Sequence, residues 1–177
     1  MKDWHMGVTV RSPNAEDAER MGEVHVAAWR MAYTGVMPAD YLAALDERRS
    51  AERWARNITN PTSGVTNLVA EVDGTIQAIA TVGPFRDHKS IDDPSGELWM
   101  INVHPDAVST GIATALHRRA LDQLRSDGHH RAALWVVDDN PRARRFYERE
   151  GWSEDPVRKE DQFGDRTIAE VRYSISL

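Results

Sequence analysis

Apolar residues near the start of the chain recur at the spacing of a helix. Met21, Val24 and Ala28 follow one another at intervals of three and four, which places them on one helical face. Asn14 can cap the start of this helix, and Asp17, three residues on, resembles the second member of a capping box. The pattern therefore predicts an amphipathic helix close to the N-terminus, preceded by a short strand.

Two helix breakers and a change of period follow. Gly35 and Pro38 are expected to end the first helix, and residues 39–58 to form a second one. Apolar and polar residues then alternate over residues 68–82, with an Asp-Gly pair at residues 73–74. Because both positions of that pair tolerate a positive φ, the pattern predicts a hairpin with a two-residue turn.

A polar loop over residues 84–95 separates this hairpin from the second half of the chain, and its length suggests a functional role. The apolar segment at residues 97–103 predicts a central strand. A helix is expected after it, with Ser109 or Thr110 at its cap and Gly111 in its first turn.

The same order of strand and helix recurs in the last part of the chain. Residues 132–137 are rich in Ala, Leu, Trp and Val and predict a strand. Asn140 followed by Pro141 predicts the start of a helix that Gly151 ends. Alternating residues from 166 to the C-terminus predict a closing strand.

These elements predict an α/β fold with a mixed, largely antiparallel sheet and helices on both faces. The order is β, α, α, β, β, β, α, β, α, β, with a further short strand expected near Glu154. The strand at 132–137 should lie beside the strand at 97–103. We expect one domain over residues 1–177, with residues 1–6 as a loose tail.

Composition excludes several classes of function. There is no cysteine, which rules out disulfides, thiolate nucleophiles and thiolate metal sites, and no metal site is expected. The formal net charge of −6 disfavours nucleic-acid binding, which needs clustered Lys and Arg. No apolar run is long enough to cross a membrane and no signal peptide is recognised, so a cytoplasmic protein with no membrane partner is the expectation.

The turn before the third long helix indicates the chemistry. A glycine-containing turn that enters a helix is a typical phosphate site, because the first N–H groups of the helix are unpaired and the helix dipole is positive there. On its own this is a weak signal. A second helix start lies at Asn140, and Asn140, Ala143 and Tyr147 fall on one face of that helix.

At these two segments the sequence resembles the GNAT superfamily of acetyl-CoA-dependent N-acetyltransferases. The most specific parts are ELWMINVHP followed by GIATAL, and NPxAxxFYxxxGW, and the early WRMAYTGVMPADYL is similar to the first two helices of many bacterial members. The resemblance implies acetyl-CoA as co-substrate and an amine acceptor. It also implies two strands that splay apart around the pantetheine arm, and a homodimer is common in the family.

The resemblance implies a set of cofactor-binding residues around the turn and the last helix. They are Val103, Val108, Ser109, Thr110, Gly111, Ile112, Ala113, Asn140 and Ala143. Val108 stands where the family motif has Arg or Gln, and Ser109 where glycine is usual. This departure leaves open an alternative function, a coenzyme A-binding or regulatory module with little catalysis. Asn140 can also be explained as a helix cap alone.

The resemblance also implies catalytic roles. Tyr147 matches the tyrosine that protonates the departing thiolate, although an amphipathic core residue is the alternative. Glu97, on an otherwise apolar strand, is the candidate base for the amine, and a residue facing water at the start of the strand is the alternative. Trp29 and Tyr33 are the candidate substrate-binding residues, with core packing as their other explanation. The acceptor, a small molecule or a protein N-terminus, is not defined by the sequence.

Overall fold

The computed structural model describes residues 7–86 and 95–177. The predicted tail, residues 1–6, and most of the predicted functional loop lie outside the described residues. Five helices are described: α1 Ala18–Tyr33, α2 Ala39–Ala43, α3 Glu47–Thr59, α4 Ile112–Ser126 and α5 Pro141–Arg149. The predicted capping box is confirmed, because Asn14 and Asp17 bond reciprocally around the short 3₁₀ turn that leads into α1.

Seven strands form one sheet in the order β1-β2-β3-β4-β5-β7-β6. They are β1 Val8–Arg11, β2 Thr66–Val72, β3 Thr75–Pro84, β4 Gly96–Val103, β5 Arg131–Val137, β6 Ser153–Phe163 and β7 Arg166–Ser176. Neighbouring strands are antiparallel except β4 and β5, which are parallel. The predicted fold class, a mixed and mostly antiparallel sheet with helices, is therefore confirmed.

Helices cover both faces of the sheet. On one face, α4 and α5 pack on a large core that includes Leu98, Leu116 and Leu134. On the other face, α1 and α3 pack on a smaller core around Met21 and Ile79. Because β3 is covered on both sides, buried apolar residues lie on both of its faces, as expected for a strand with no solvent face.

Two predictions of secondary structure are wrong. The helix expected over residues 39–58 is broken into α2 and α3, because the side chain of Asp46 caps α3 by accepting from the N–H of Arg49 at 2.7 Å. The short strand expected near Glu154 is the 11-residue strand β6. Its run of charged residues hid it, because β6 is an edge strand with one face in water.

A buried histidine links α4 to the segment that follows α5. His117 is 2% exposed, and its Nε2 accepts a hydrogen bond of 2.8 Å from the indole N–H of Trp152. Burial lowers the pKa of His117 despite the nearby carboxylate of Glu150. None of the helices in the described ranges is long and apolar enough to span a membrane.

Candidate active site

The two parallel strands at the centre of the sheet separate after a short contact. β4 and β5 pair only at Gly96 with Ala132 and at Glu97 with Ala133. Beyond Glu97, β4 has no strand partner on its β5 side within the described residues, so the backbone N–H and C=O groups on that side form no hydrogen bonds to a neighbouring strand. The two strands therefore form a wedge that opens towards their C-terminal ends.

The starts of α4 and α5 lie at the open end of this wedge, because each helix follows one of the two strands. Parallel strands bring their C-terminal ends to the same edge of a sheet. The positive ends of two helix dipoles therefore lie near each other, at the edge where the strands diverge. The prediction that the strand at 132–137 lies beside the strand at 97–103 is confirmed.

The turn into α4 has an unusual backbone. Gly111 occupies the cap position at φ +89°, and Ser109 is at φ +66°, a conformation that glycine adopts far more readily than serine. The expectation that Ser109 or Thr110 caps the helix is wrong. The hydroxyl of Thr110 donates instead to the carbonyl of Ala107 at 2.6 Å, and no side chain bonds the first N–H groups of α4.

The uncapped start of α4 differs from the starts of α3 and α5, where Asp46 and Asn140 occupy the N–H groups. No acidic residue lies in its first turn, and Gly111 is exposed. An anion placed here would meet free N–H donors and no like charge. Ile112 is 1% exposed, so only its backbone is available to a ligand.

The start of α5 agrees with the predicted cap. The side-chain oxygen of Asn140 accepts from the N–H of Ala143 at 3.1 Å. Asn140 and Ala143 are both partly buried, as is Val103 at the end of β4. The predicted cofactor residues of α5 and β4 therefore lie at the open end of the wedge, as those of the α4 turn do.

Tyr147 lies on the inner side of α5 and is 8% exposed. Its ring packs against those of Phe146, Trp152 and Tyr173, with centroids 5.4 to 6.5 Å apart. Burial raises its pKa above the usual range, and the nearby Tyr33 raises it further. The hydroxyl of Tyr147 therefore keeps its proton at neutral pH. Tyr33 belongs to α1, so helices on opposite faces of the sheet bring two tyrosines close together.

Glu97 is buried rather than facing water. It is 1% exposed and forms an ion pair with Arg86. The carboxylate accepts from the backbone N–H of Arg86 at 2.9 Å and from its Nε at 3.1 and 3.2 Å. The guanidinium of Arg86 also lies over the ring of Trp99, with its Cζ 4.7 Å from the centroid. No sequence pattern indicates this partner, which lies eleven residues away across the β3–β4 connection.

A bulge interrupts β4 close to the wedge. Thr81 of β3 pairs with Met100 and Val82 pairs with Leu98, so Trp99 has no opposite residue. A bulge bends its strand and turns backbone groups away from the ladder. Together with the missing β5 partner, it leaves the backbone of β4 as a source of N–H groups for a bound carbonyl.

Partly buried aromatic rings form a connected set that branches at Trp29 of α1, which we call the aromatic track. Neighbouring ring centroids are 5.0 to 6.4 Å apart. Its members are His25, Trp29, Tyr33, Tyr41 and Phe163. The predicted pair Trp29 and Tyr33 is thus brought together, and neither ring belongs to the fully buried core.

A cluster of charged residues that the sequence did not indicate lies beside the track. The carboxylate of Glu170 on β7 is 2.7 Å from Nζ of Lys159 on β6, and Lys159 also pairs with Asp161 at 3.1 Å. Glu170 and Arg172 lie on the same face of β7, and the alternation of polar and apolar residues along this strand indicates that the face is exposed to water. Arg172 is nevertheless 5% exposed, so this face is covered. No group of three potential metal ligands occurs among residues 7–86 and 95–177.

The splayed strands, the open turn and the helix starts together define an acetyltransferase fold. The chain belongs to the acetyltransferase (GNAT) family, whose model matches residues 26–152. The resemblance found in the sequence is confirmed, and membership of this family supports acyltransferase activity.

Among curated proteins, the chain is 29% identical over 134 residues to the uncharacterized N-acetyltransferase YuaI of Bacillus subtilis (strain 168). The match covers 76% of this chain and 74% of that protein. Among solved structures, it is similar to the PaiA N-acetyltransferase of Thermoplasma acidophilum in complex with coenzyme A. The TM-score is 0.75 at 18% identity, covering 97% of this chain and 100% of that one. It is also similar to yncA of Salmonella typhimurium with acetyl-CoA, with a TM-score of 0.65 at 21% identity, covering 96% and 94%.

Proposed function

We propose that this chain transfers an acetyl group from acetyl-CoA to a primary amine by direct attack in a ternary complex. The acceptor is a small molecule or a protein N-terminus. The observation that carries the proposal is the wedge between β4 and β5, with two helix starts at its open end. The coenzyme A and acetyl-CoA bound to the two similar structures support the choice of cofactor.

In this proposal the cofactor lies at the open end of the wedge. The N–H groups of the turn and first residues of α4 hold the pyrophosphate, and Asn140 contacts the pantetheine arm. The proposed binding residues are those of the sequence prediction: Val103, Val108, Ser109, Thr110, Gly111, Ile112, Ala113, Asn140 and Ala143.

The chemistry uses backbone donors and one tyrosine. The neutral amine attacks the thioester carbonyl, and N–H groups on the free side of β4 stabilise the oxyanion. The C–S bond then breaks, and the thiolate takes a proton from Tyr147. The hydroxyl of Tyr147 carries its proton at neutral pH, as this role requires, and burial makes that hydroxyl a weaker acid than an exposed tyrosine.

The role of Glu97 as the base that takes a proton from the amine stays a prediction. Its carboxylate oxygens already accept hydrogen bonds from Arg86, so Glu97 can take a proton from the amine only after that ion pair opens. The Glu97→Gln variant should lose most activity at low pH if Glu97 is the base, and a pH profile like that of the wild type would reject the assignment.

The direct test is release of coenzyme A thiol when the protein is mixed with acetyl-CoA and a panel of primary amines. Tyr147→Phe should lower kcat by about 10²-fold or more if Tyr147 is the acid. Tyr173→Phe is the matched control. That ring lies 6.5 Å from Tyr147, and its hydroxyl bonds to Glu148 and Arg144, so its loss should affect stability more than turnover. An unchanged kcat in Tyr147→Phe would remove Tyr147 from the mechanism.

A second function, a coenzyme A-binding or regulatory module with little catalysis, is favoured by the turn itself. Val108 offers no polar side chain to the phosphates, and Ser109 holds a strained positive φ. Thermal stabilisation by coenzyme A separates the two functions. Stabilisation with no thiol release on any amine would favour the binding module, whereas turnover would reject it. A homodimer and a cytoplasmic location stay predictions.

A further inference from the structure

Glu170 lies on the covered face of the sheet next to the wedge. It pairs in register with Val137, the last residue of β5, so it lies where β5 ends and the wedge is open. Its side chain is 18% exposed, and its Oε2 is a buried oxygen that forms an ion pair with Lys159 but whose hydrogen-bonding capacity is otherwise unused in the described structure. Glu97, by comparison, is buried and bonded to Arg86.

Among residues 7–86 and 95–177, the ion pairs around Glu170 contain one more carboxylate than cations. Glu170 and Asp161 both pair with the single ammonium of Lys159, and the next cation on this face, Arg172, pairs with Asp155 at 2.7 Å. The described groups that face Glu170 are thus Lys159 and Asp161 of β6 and Tyr33 of α1. A second ammonium group placed here would balance the two carboxylates.

Electrostatics supports a proton acceptor at this position. Burial raises the pKa of Glu170, the ammonium of Lys159 lowers it and the neighbouring Asp161 raises it again, so that the pKa lies above its usual value. A carboxylate with a raised pKa is a better match to proton transfer near neutrality. Burial and the charge of Glu170 also raise the pKa of Tyr33 to about 12, so Tyr33 remains a hydrogen-bond donor.

The aromatic track leads to this carboxylate. Tyr33 is at once a member of the track and a neighbour of both Glu170 and Tyr147. Aromatic faces attract cations and also support apolar groups. An amine with an apolar or aromatic body could therefore lie along the track with its ammonium group at Glu170.

We infer that Glu170 binds the ammonium group of the acceptor and takes its proton, and that the acceptor is a primary amine carried on an apolar or aromatic body. This inference rests on the proposed function. The ammonium gives one proton to the carboxylate, and the freed lone pair forms the C–N bond. As the intermediate collapses, the C–S bond breaks and the thiolate takes the proton of Tyr147. A second proton then leaves the nitrogen and restores the hydroxyl of Tyr147, and the proton on Glu170 passes to solvent.

The test compares two amines with an aromatic body that differ in charge at pH 7. Phenethylamine is protonated and needs a base, whereas O-benzylhydroxylamine is already neutral. Glu170→Gln should lower kcat/KM for phenethylamine by about 10²-fold or more and change it far less for O-benzylhydroxylamine. Glu160→Gln is the matched control, because Glu160 is an exposed carboxylate on the neighbouring strand. It should leave both rates unchanged.

Several results would overturn the inference. Equal losses for both amines would mean that Glu170 only supports the fold, and no loss would mean that it has no part in the reaction. An amine-selective loss in Glu97→Gln instead of Glu170→Gln would assign the base to Glu97. If Glu170→Gln does not fold, Glu170→Asp keeps the carboxylate and should retain the preference between the two amines at a lower kcat; loss of that preference would contradict the inference.

The two proposals fail in distinguishable ways. A wild-type protein that releases no thiol with any amine overturns the proposed function and this assignment with it. Turnover of small polar amines but of neither aromatic amine overturns the proposed acceptor class and leaves the acetyltransferase function standing.

Discussion

Protonation of His25 should weaken the fold as the pH falls. His25 lies on α1, stacked on Trp29 with ring centroids 5.5 Å apart and edge-on to Trp54. Its ring nitrogens lie 3.3 Å from Nη2 of Arg53 and 3.1 Å from Nδ2 of Asn102. Burial, and then the charge of Arg53, lower the pKa of His25 from 6.5 to about 4.

The sign and size follow from proton linkage. Between pH 6.5 and about 4 the unfolded chain binds a proton at His25 that the folded chain does not, so the free energy of unfolding falls as the pH falls. At pH 7.5 and above, about a unit over the unfolded pKa of 6.5, His25 is almost entirely neutral in both states and contributes almost nothing. At about 1.36 kcal/mol per pKa unit, we expect a loss of about 2 kcal/mol between pH 7.5 and pH 5.

Urea unfolding followed by circular dichroism at these two pH values measures the effect. His25→Gln keeps a polar group and cannot be protonated, so its loss of stability on going to pH 5 should be about 2 kcal/mol smaller than that of the wild type. His117, whose pKa is also lowered by burial, accounts for part of the remaining loss. His130→Gln, at an exposed position, is the control and should behave like the wild type. A full wild-type loss in His25→Gln would refute the reasoning.

Three glycine substitutions give two further predictions. Gly22→Ala should lower the free energy of unfolding by about 1–3 kcal/mol in urea titrations, because its Cβ would lie 2.7 Å from backbone atoms of Ala51 and Glu47. An unchanged midpoint would show that α1 and α3 can separate freely. Gly111→Ala and Gly74→Ala both add a Cβ at positive φ with nothing within 4 Å, so their strain should be similar. Only Gly111→Ala should reduce thermal stabilisation by coenzyme A; an equal effect of both would argue against phosphate binding at the α4 turn.

Local patterns were sufficient to predict most of the fold. The helical period of α1, the capping box at Asn14 and the Asp-Gly hairpin each depend on residues close in sequence, and these three agree with the structure. Where local signals were weak, the prediction failed. The polar edge strand β6 has few buried residues, and the cap at Asp46 interrupts a helical pattern by a single side-chain bond.

The features of the candidate site also divide into those that local sequence determines and those that depend on the tertiary structure. The sequence alone determined the two segments that flank the wedge, because their motifs and helix starts are continuous in the chain. Only the tertiary structure decided the charge environment of the carboxylates, since those partners come from other strands. Arg86, from the β3–β4 connection, forms an ion pair with Glu97. Glu170 instead pairs with Lys159 of β6 and lies near Tyr33 of α1. Side-chain electrostatics depends on distance in space, which the order of residues does not specify.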